Sequence, residues 1–293
     1  MALVLTMIGC ANQPDIHEFV EAVRRIGLAG SPDWLATDRA CDLPLTENDA
    51  AKAETAARRA IGDAAIDVLV QPAEGRRKRI FVADLESTII ENEMLDELAD
   101  FVGLRPHVAE ITRRAMNGEL DFATALKERV ALLKGLPATV LDEAAGHIRL
   151  MPGARPLLAT LRAAGVRTAL VSGGFTVFVE RIAAELGFDR VSANRLDIAD
   201  GHIAGTVASP ILTRETKRDT LLQMAQDAGV PLSATLAVGD GANDLPMLEA
   251  AGLGIAFHAK PAVAAASRWR LDHADLTGIL YAQGYRQEEI LEP

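Results

Sequence analysis

The chain has 293 residues, 49% of them hydrophobic, 24% charged and 4% aromatic, which excludes a disordered state and fits one large domain or two smaller ones. Forty-one acidic against thirty basic residues give a net charge of −11, a surface that repels nucleic acid and anionic membrane. Cys10 and Cys41 are too few for a disulfide framework or a cysteine-rich zinc site, and no apolar run reaches the roughly 18 residues of a membrane span.

The opening MALVLTMIGCA has no basic n-region and only a short apolar stretch, so it reads as the first strand of a soluble, cytoplasmic protein rather than a leader. Leu3–Ile8 is that strand. Ile16–Ile26 is predicted to be an amphipathic helix, Trp34–Leu45 extended and turn-rich, Asp49–Ile61 an alanine-rich helix, and Ile66–Val70 a strand. Such alternation in so short a unit predicts a small α/β module over residues 1–73, without a catalytic cluster. The basic run within Gln71–Lys78 then reads as a solvated linker. Arg79–Asp84 is a buried-type strand ending on a carboxylate. From Glu93 to about Gly146 the pattern is helical throughout. After Met151-Pro152-Gly153 come a helix over 154–164 and a strand over Val166–Val171. Asp200-Gly201 marks a two-residue hairpin. Thr216–Ala228 is helical, Thr235–Asp240 is another strand ending on a carboxylate, and Leu253–Phe257 is a further strand. The predicted organisation is therefore the N-terminal module, an α/β core over 74–92 and 149–293, and a helical insertion over 93–148.

Ligands of open α/β sheets bind beyond the carboxyl ends of the strands, and here three such ends carry Asp84, Ser172 and Asp240. Asp84-Leu85-Glu86-Ser87-Thr88 taken alone fits a helix cap equally well. Beside Asp240-Gly241-Ala242-Asn243-Asp244 it reads instead as half of a hard-oxygen site suited to Mg2+. Ser172-Gly173-Gly174 adds a hydroxyl and closely approachable backbone amides, and Lys217 a point charge for phosphate. The six histidines (His17, His107, His147, His202, His258 and His273) show no metal-ligand spacing.

Taken in order, Asp84-x-Glu86-x-Thr88, Ser172, Lys217 and Gly239-Asp240-x-x-x-Asp244 resemble the haloacid dehalogenase superfamily of phosphotransferases. Over about residues 74–293 the chain is more closely similar to that superfamily's phosphoserine phosphatases. This likeness runs through Asp84–Glu93, Ala115–Leu120, Arg129–Pro137, Val171–Phe175 and Val238–Asp244. The helical insertion resembles their cap, and the first 70 residues an ACT-like regulatory module. The resemblance implies a Rossmann-like core with a parallel sheet and hydrolysis of O-phospho-L-serine, the last step of serine biosynthesis. Asp84 would be the nucleophile. Mg2+ would be held by Asp84, the Glu86 carbonyl and Asp240. Ser172, Gly173, Lys217 and Asn243 would face the phosphate, with Asp244 supporting Lys217 or metal-bound water, or acting as a helix cap. Glu86 stands where the family pattern has Asp, the group that protonates the leaving alkoxide and then activates water. Glu93 would pair with the substrate ammonium and Arg129 with its carboxylate. Met116 and Phe122 would form an apolar lid, helix core being the alternative for both. A homodimer and serine bound as an effector at the N-terminal module are further expectations. A phosphatase or phosphotransferase acting on another small phospho-metabolite such as phosphohomoserine, and a phosphate-sensing protein without turnover, are the competing readings.

Overall fold

The computed structural model describes residues 2–10, 15–46, 48–116 and 119–293, the side chains of residues 115 and 116 excepted. The first elements are Leu3–Gly9 (β1), His17–Arg25 (α1), Asp33–Ala36 (β2), Ala40–Pro44 (β3), Ala50–Ile61 (α2) and Ile66–Pro72 (β4). They form an antiparallel sheet of order β2-β3-β1-β4, a split βαβ arrangement. The stretch read from sequence as extended and turn-rich is thus a hairpin. Asp38, at a φ of 61°, makes the reversal between its two strands. Strand alternation sends Leu5, Met7, Val68 and Val70 toward the buried faces of α1 and α2. Ile8 and Leu69 point the other way, and with Leu35, Ala36 and Ala40 they join the hydrophobic cluster of the main sheet.

That main sheet begins with Ile80–Ala83 (β5). The helical insertion follows as Met94–Asp100 (α3), Arg105–Met116 (α4), Phe122–Ala131 (α5) and Val140–Gly146 (α6). Then come Ala154–Ala163 (α7), Arg167–Phe175 (β6), Thr176–Leu186 (α8) and Arg190–Asn194 (β7). The hairpin Leu196–Ala199 (β8) and His202–Val207 (β9) leads to Arg214–Asp227 (α9). The chain closes with Thr235–Gly239 (β10), Leu245–Ala250 (α10), Leu253–Phe257 (β11), Pro261–Ala266 (α11), Trp269–Leu271 (β12) and Gly278–Ala282 (α12). Six parallel strands run in the order β12-β11-β10-β5-β6-β7. From β5 the chain first builds outward through β6 and β7, then returns to the other side of β5 with β10. The β5–β10 boundary is therefore the topological switch point, where a crevice opens beyond the strand ends. Both sheet faces are covered: Ile80, Val82, Ala169 and Ala237 pack under α9 and α10, while Phe81, Leu170, Leu236 and Val238 face the other cluster. Each such fully buried large apolar side chain contributes roughly 1.5–3 kcal/mol.

The hairpin at Asp200-Gly201 forms as predicted, with both residues at positive φ. It supports the insertion through backbone bonds from Gly135 to Ile203 (2.9 Å), Ile203 to Leu136 (2.8 Å) and Ala138 to Gly201 (2.8 Å). The segment after α5 is thereby pinned to the core.

The solvated-linker expectation for Gln71–Lys78 holds for residues 73–75 and Arg77, which are exposed, but fails for Arg76 and Lys78. Arg76 pairs with Asp42 and donates to the carbonyls of Tyr281 and Ala282, and Lys78 donates to those of Gly75 and Ser233. The run is basic because it fills a polar seam between module and core. Asp67, 1% exposed, reinforces the seam by accepting from the backbone amides of Asp272, His273 and Ala274 at 2.7, 3.2 and 2.8 Å. Among the described residues no helix is long and apolar enough to cross a membrane. Both cysteines are free, and burial pushes the Cys41 thiol up to about 12.

Candidate active site

Asp84 follows β5 directly and Asp240 follows β10, so parallel pairing of the two strands brings their carboxylates to one end of the sheet. No helix starts at Asp84–Thr88, the next being α3 with Glu93 as its N-cap, so the helix-cap alternative for this segment falls. Lys217 rises from the first turn of α9, which Thr213 and Thr216 open with a capping box. Its Nζ lies 2.8 Å from Asp84 Oδ1 and 2.5 Å from Asp244 Oδ1. Asp244 is fully buried. It makes no side-chain cap bond to α10, and its Oδ2 accepts from the Gly241 amide at 2.9 Å. The Lys217-supporting role is thus the one its geometry fits. Gly239 makes this approach feasible, since a β-carbon there would collide with the Asp244 carboxylate.

The electrostatics follow from burying three carboxylates against few cations. Burial opposes charge on Lys217, yet Asp244 and Asp84 outweigh it and hold the ammonium above its ordinary range. Asp84 is pushed up to about 7 by burial, against the pull of Lys217 and with the help of Asp244 and Asp240. Asp240 is raised by burial against the nearby Lys260, whose Nζ stands 3.5 Å away. Carboxylate oxygens of Asp84, Asp240 and Asp244 lie within 4.8 Å of one another. Two of Asp244's contacts are already taken by Lys217 and Gly241, which leaves Asp84 and Asp240 as the carboxylate pair open to a cation. A set of hard oxygens beside a space for phosphate oxygens fits Mg2+.

Glu86 points from the same loop toward the insertion. Its Oε1 accepts from the Met94 amide at the start of α3, 2.9 Å away. Burial first, then the Glu93 carboxylate, raise it to about 8 although Met94 and Arg129 act the other way. Such a group holds a proton at neutral pH, as a general acid must. Ser87, at a φ of 55°, donates to Glu93 Oε1 at 2.8 Å. Arg129 donates to the Ala125 carbonyl and to Thr112 Oγ1, and among the described residues forms no ion pair. Phe122, the first residue of α5, is 39% exposed and its ring covers Gly173, so a lid over the site describes it better than helix core. The Met116 side chain lies outside the described residues.

A cleft of about 500 Å3 opens over this strand-end cluster, lined by Phe122, Ser172, Gly173, Thr213, Lys217 and Asn243 among others. Ser172 is buried and its Oγ accepts from the Gly174 amide at 2.9 Å. The strand predicted to stop at Val171 continues to Phe175, so Ser172 and Gly173 sit in its irregular last turn rather than beyond it. Of the catalytic, substrate-binding and metal candidates, Asp84, Glu86, Asp240, Asn243 and Asp244 lie in strand-end loops, Ser172 and Gly173 in the end of β6, Glu93 at the N-cap of α3, Arg129 on α5 and Lys217 on α9. Lys260 and Asn194 were missed; the Lys260-Pro261 step after β11 is the one local signal for the former. His17 also lies beside Asp15 and Asp38, an exposed trio that sequence spacing conceals.

The haloacid dehalogenase-like hydrolase family matches residues 81–249. The chain is 48% identical over 215 residues to "Phosphoserine phosphatase SerB2" of Mycobacterium tuberculosis, covering 73% of this chain and 53% of that one. It thus spans about half the length of the first curated relatives it matches. A phosphoserine phosphatase of Lactococcus lactis is 46% identical, with 69% of this chain and 94% of that one covered. Among solved structures, a HAD family hydrolase from Salmonella enterica serovar Typhi superposes with a TM-score of 0.86 at 29% identity, covering 96% of this chain and 98% of the other.

Proposed function

The chain belongs to the haloacid dehalogenase-like hydrolase family, and from that premise we propose that it hydrolyses O-phospho-L-serine to L-serine and phosphate, as the last step of serine biosynthesis. The observation that carries this reading is the buried Asp84–Lys217–Asp244 chain beside Asp240 at the sheet's switch point. The names of the relatives at 46–48% identity support phosphoserine as the substrate.

In the proposed reaction an Asp84 oxygen attacks phosphorus in line as the phosphorus–oxygen bond to serine breaks. Glu86 gives its proton to the departing alkoxide. It then takes a proton from water, whose oxygen attacks the aspartyl phosphate and frees Asp84 and inorganic phosphate. Lys217, the Ser172 hydroxyl, the Gly173 amide and Asn243 bind the phosphoryl oxygens, where most of the barrier lowering in phosphoryl transfer arises. Mg2+ bound by Asp84, Asp240 and the Glu86 carbonyl would supply the positive charge that keeps Asp84 ionised and offsets the phosphoryl oxygens. Glu93 takes the ammonium, with Ser87 orienting its carboxylate. Arg129, which forms no ion pair among the described residues, takes the substrate carboxylate as a fork.

The functional division we propose is module 1–73, core 74–92 with 149–293, and cap 93–148, in a cytoplasmic protein. Serine as an effector at the ACT-like module and a homodimer complete the proposal. Calorimetry with serine and sedimentation of the whole chain test these two. For the activity, phosphate release with Mg2+ is compared across phosphoserine, phosphothreonine, phosphohomoserine and sugar phosphates, and no preference for phosphoserine would overturn the reading. Asp84→Asn should abolish turnover while the fold is retained.

A further inference from the structure

We propose that Asn194 is a positioning residue that fixes the phosphate-facing backbone, a role that rests on the hydrolase reading above. It ends β7, at the edge of the parallel sheet, and is 2% exposed. Up to Val171↔Ser192 the β6–β7 ladder is regular, and the next pair is Phe175↔Asn194. Between those pairs β6 spends residues 172–174 where β7 spends only residue 193. Ser172, Gly173 and Gly174 therefore bulge out of the ladder, the device by which sheets re-aim groups beside active sites. The bulge also forfeits the ladder bonds that would hold it, in a stretch where two glycines leave the backbone torsions free.

Asn194 replaces the lost restraint. Its Nδ2 donates to the Gly173 carbonyl at 2.8 Å. The same Gly173–Gly174 peptide is held at its other end, where the Gly174 amide donates to Ser172 Oγ at 2.9 Å. With both ends of that peptide fixed, the preceding Gly173 amide keeps one direction. Because Ser172 Oγ accepts from Gly174, its own proton is left to donate elsewhere. The other end of the Asn194 side chain accepts from the Leu212 amide at 2.8 Å. Leu212 precedes Thr213, the N-cap of the helix that carries Lys217. One buried amide thus ties together the two segments that present Ser172, Gly173 and Lys217 to the cleft. Asn suits the task because it both donates and accepts; aspartate could still accept from Leu212 but could not donate to Gly173.

The test compares wild type, Asn194→Ala and Asn194→Asp as full chains with Mg2+, using orthophosphate and L-serine as separate inhibitors of phosphoserine hydrolysis. Losing one buried hydrogen bond should weaken orthophosphate inhibition by about tenfold. L-serine inhibition should stay within about twofold of wild type, since its partners lie on α3 and α5. Asn194→Asp, which keeps the Leu212 contact, isolates the Gly173 bond if Asn194→Ala does not fold. Unchanged orthophosphate inhibition in both variants would overturn the role, as would equal weakening of both inhibitors, the mark of general damage. A wild-type chain that does not hydrolyse phosphoserine would instead overturn the hydrolase reading itself, and the Asn194 role with it.

Discussion

Glu86→Asp restores the residue type that the family pattern carries, and the structure predicts that it slows the enzyme. The Glu86 carboxyl is seated by the Met94 amide at 2.9 Å, at the start of the first cap helix. Removing one methylene withdraws the carboxyl by about 1.5 Å, beyond reach of that donor. The lost bond is worth about 1–3 kcal/mol according to the charge on the carboxyl, or about 5- to 150-fold in rate. Displacement of a reacting group by about 1 Å has a similar cost, ~10²-fold. We therefore expect kcat for phosphoserine to fall about 10²-fold, with KM changed far less because Glu93 and Arg129 are untouched. Rapid quench with p-nitrophenyl phosphate separates this from general damage, since its phenolate leaves without a proton. The variant should retain a burst of p-nitrophenolate at near wild-type rate, followed by a slowed steady state as water activation fails. A variant as fast as wild type on phosphoserine would refute the reasoning, and so would an equal loss in the burst.

Lys217→Met leaves Asp84 and Asp244 without their buried cation, so it should destabilise the protein by about 3–5 kcal/mol and abolish turnover; an unchanged urea midpoint would contradict the ion-pair account. Glu86, raised from 4.5 to about 8, binds its proton more tightly folded than unfolded. Its contribution in EDTA is therefore fully present below its unfolded value and is lost as pH rises through about 4 to about 8. Glu86→Gln, which cannot ionise, should gain on wild type across that window in thermal melts, and a gap that narrows with rising pH would refute it. Asp67→Ala strands three backbone donors at the module–core seam and should lower Tm by roughly 10 °C. A shift below about 2 °C would show that the seam is not maintained by this carboxylate.

The strand-end carboxylates were legible because strand periodicity and a terminal Asp are local signals, and because parallel connection brings such ends together whatever lies between them. The hairpin at Asp200-Gly201 was legible for the same reason, its turn chemistry being held in two residues. What escaped depends on partners far along the chain. Arg76 reads as a solvated charge until Asp42 and the carbonyls of residues 281 and 282 surround it, 34 to 206 positions away. Asn194 carries no motif of its own, and its meaning lies in a ladder irregularity that exists only once β6 and β7 are paired. The roles of Glu93 and Arg129 came from resemblance, since on a helix face a carboxylate or guanidinium looks the same with or without a ligand.

The net charge of −11 argues against polyanions as partners of the whole surface, yet it does not set the field in the cleft. The cluster of Asp84, Asp240 and Asp244 is buried with Lys217 among it and Lys260 beside it, and its oxygens converge where a divalent cation would reverse the local sign. At the other end, Arg129 forms no ion pair among the described residues, and the Glu93 carboxylate accepts from the Ser87 hydroxyl. In the proposed reading, a substrate carrying an ammonium, a carboxylate and a phosphate would meet an unlike charge at each position. A sugar phosphate would satisfy the phosphate end alone and leave Glu93 and Arg129 to be desolvated without a partner. The discrimination expected of this site thus arises as much from what a wrong substrate leaves unpaired as from what the right one binds.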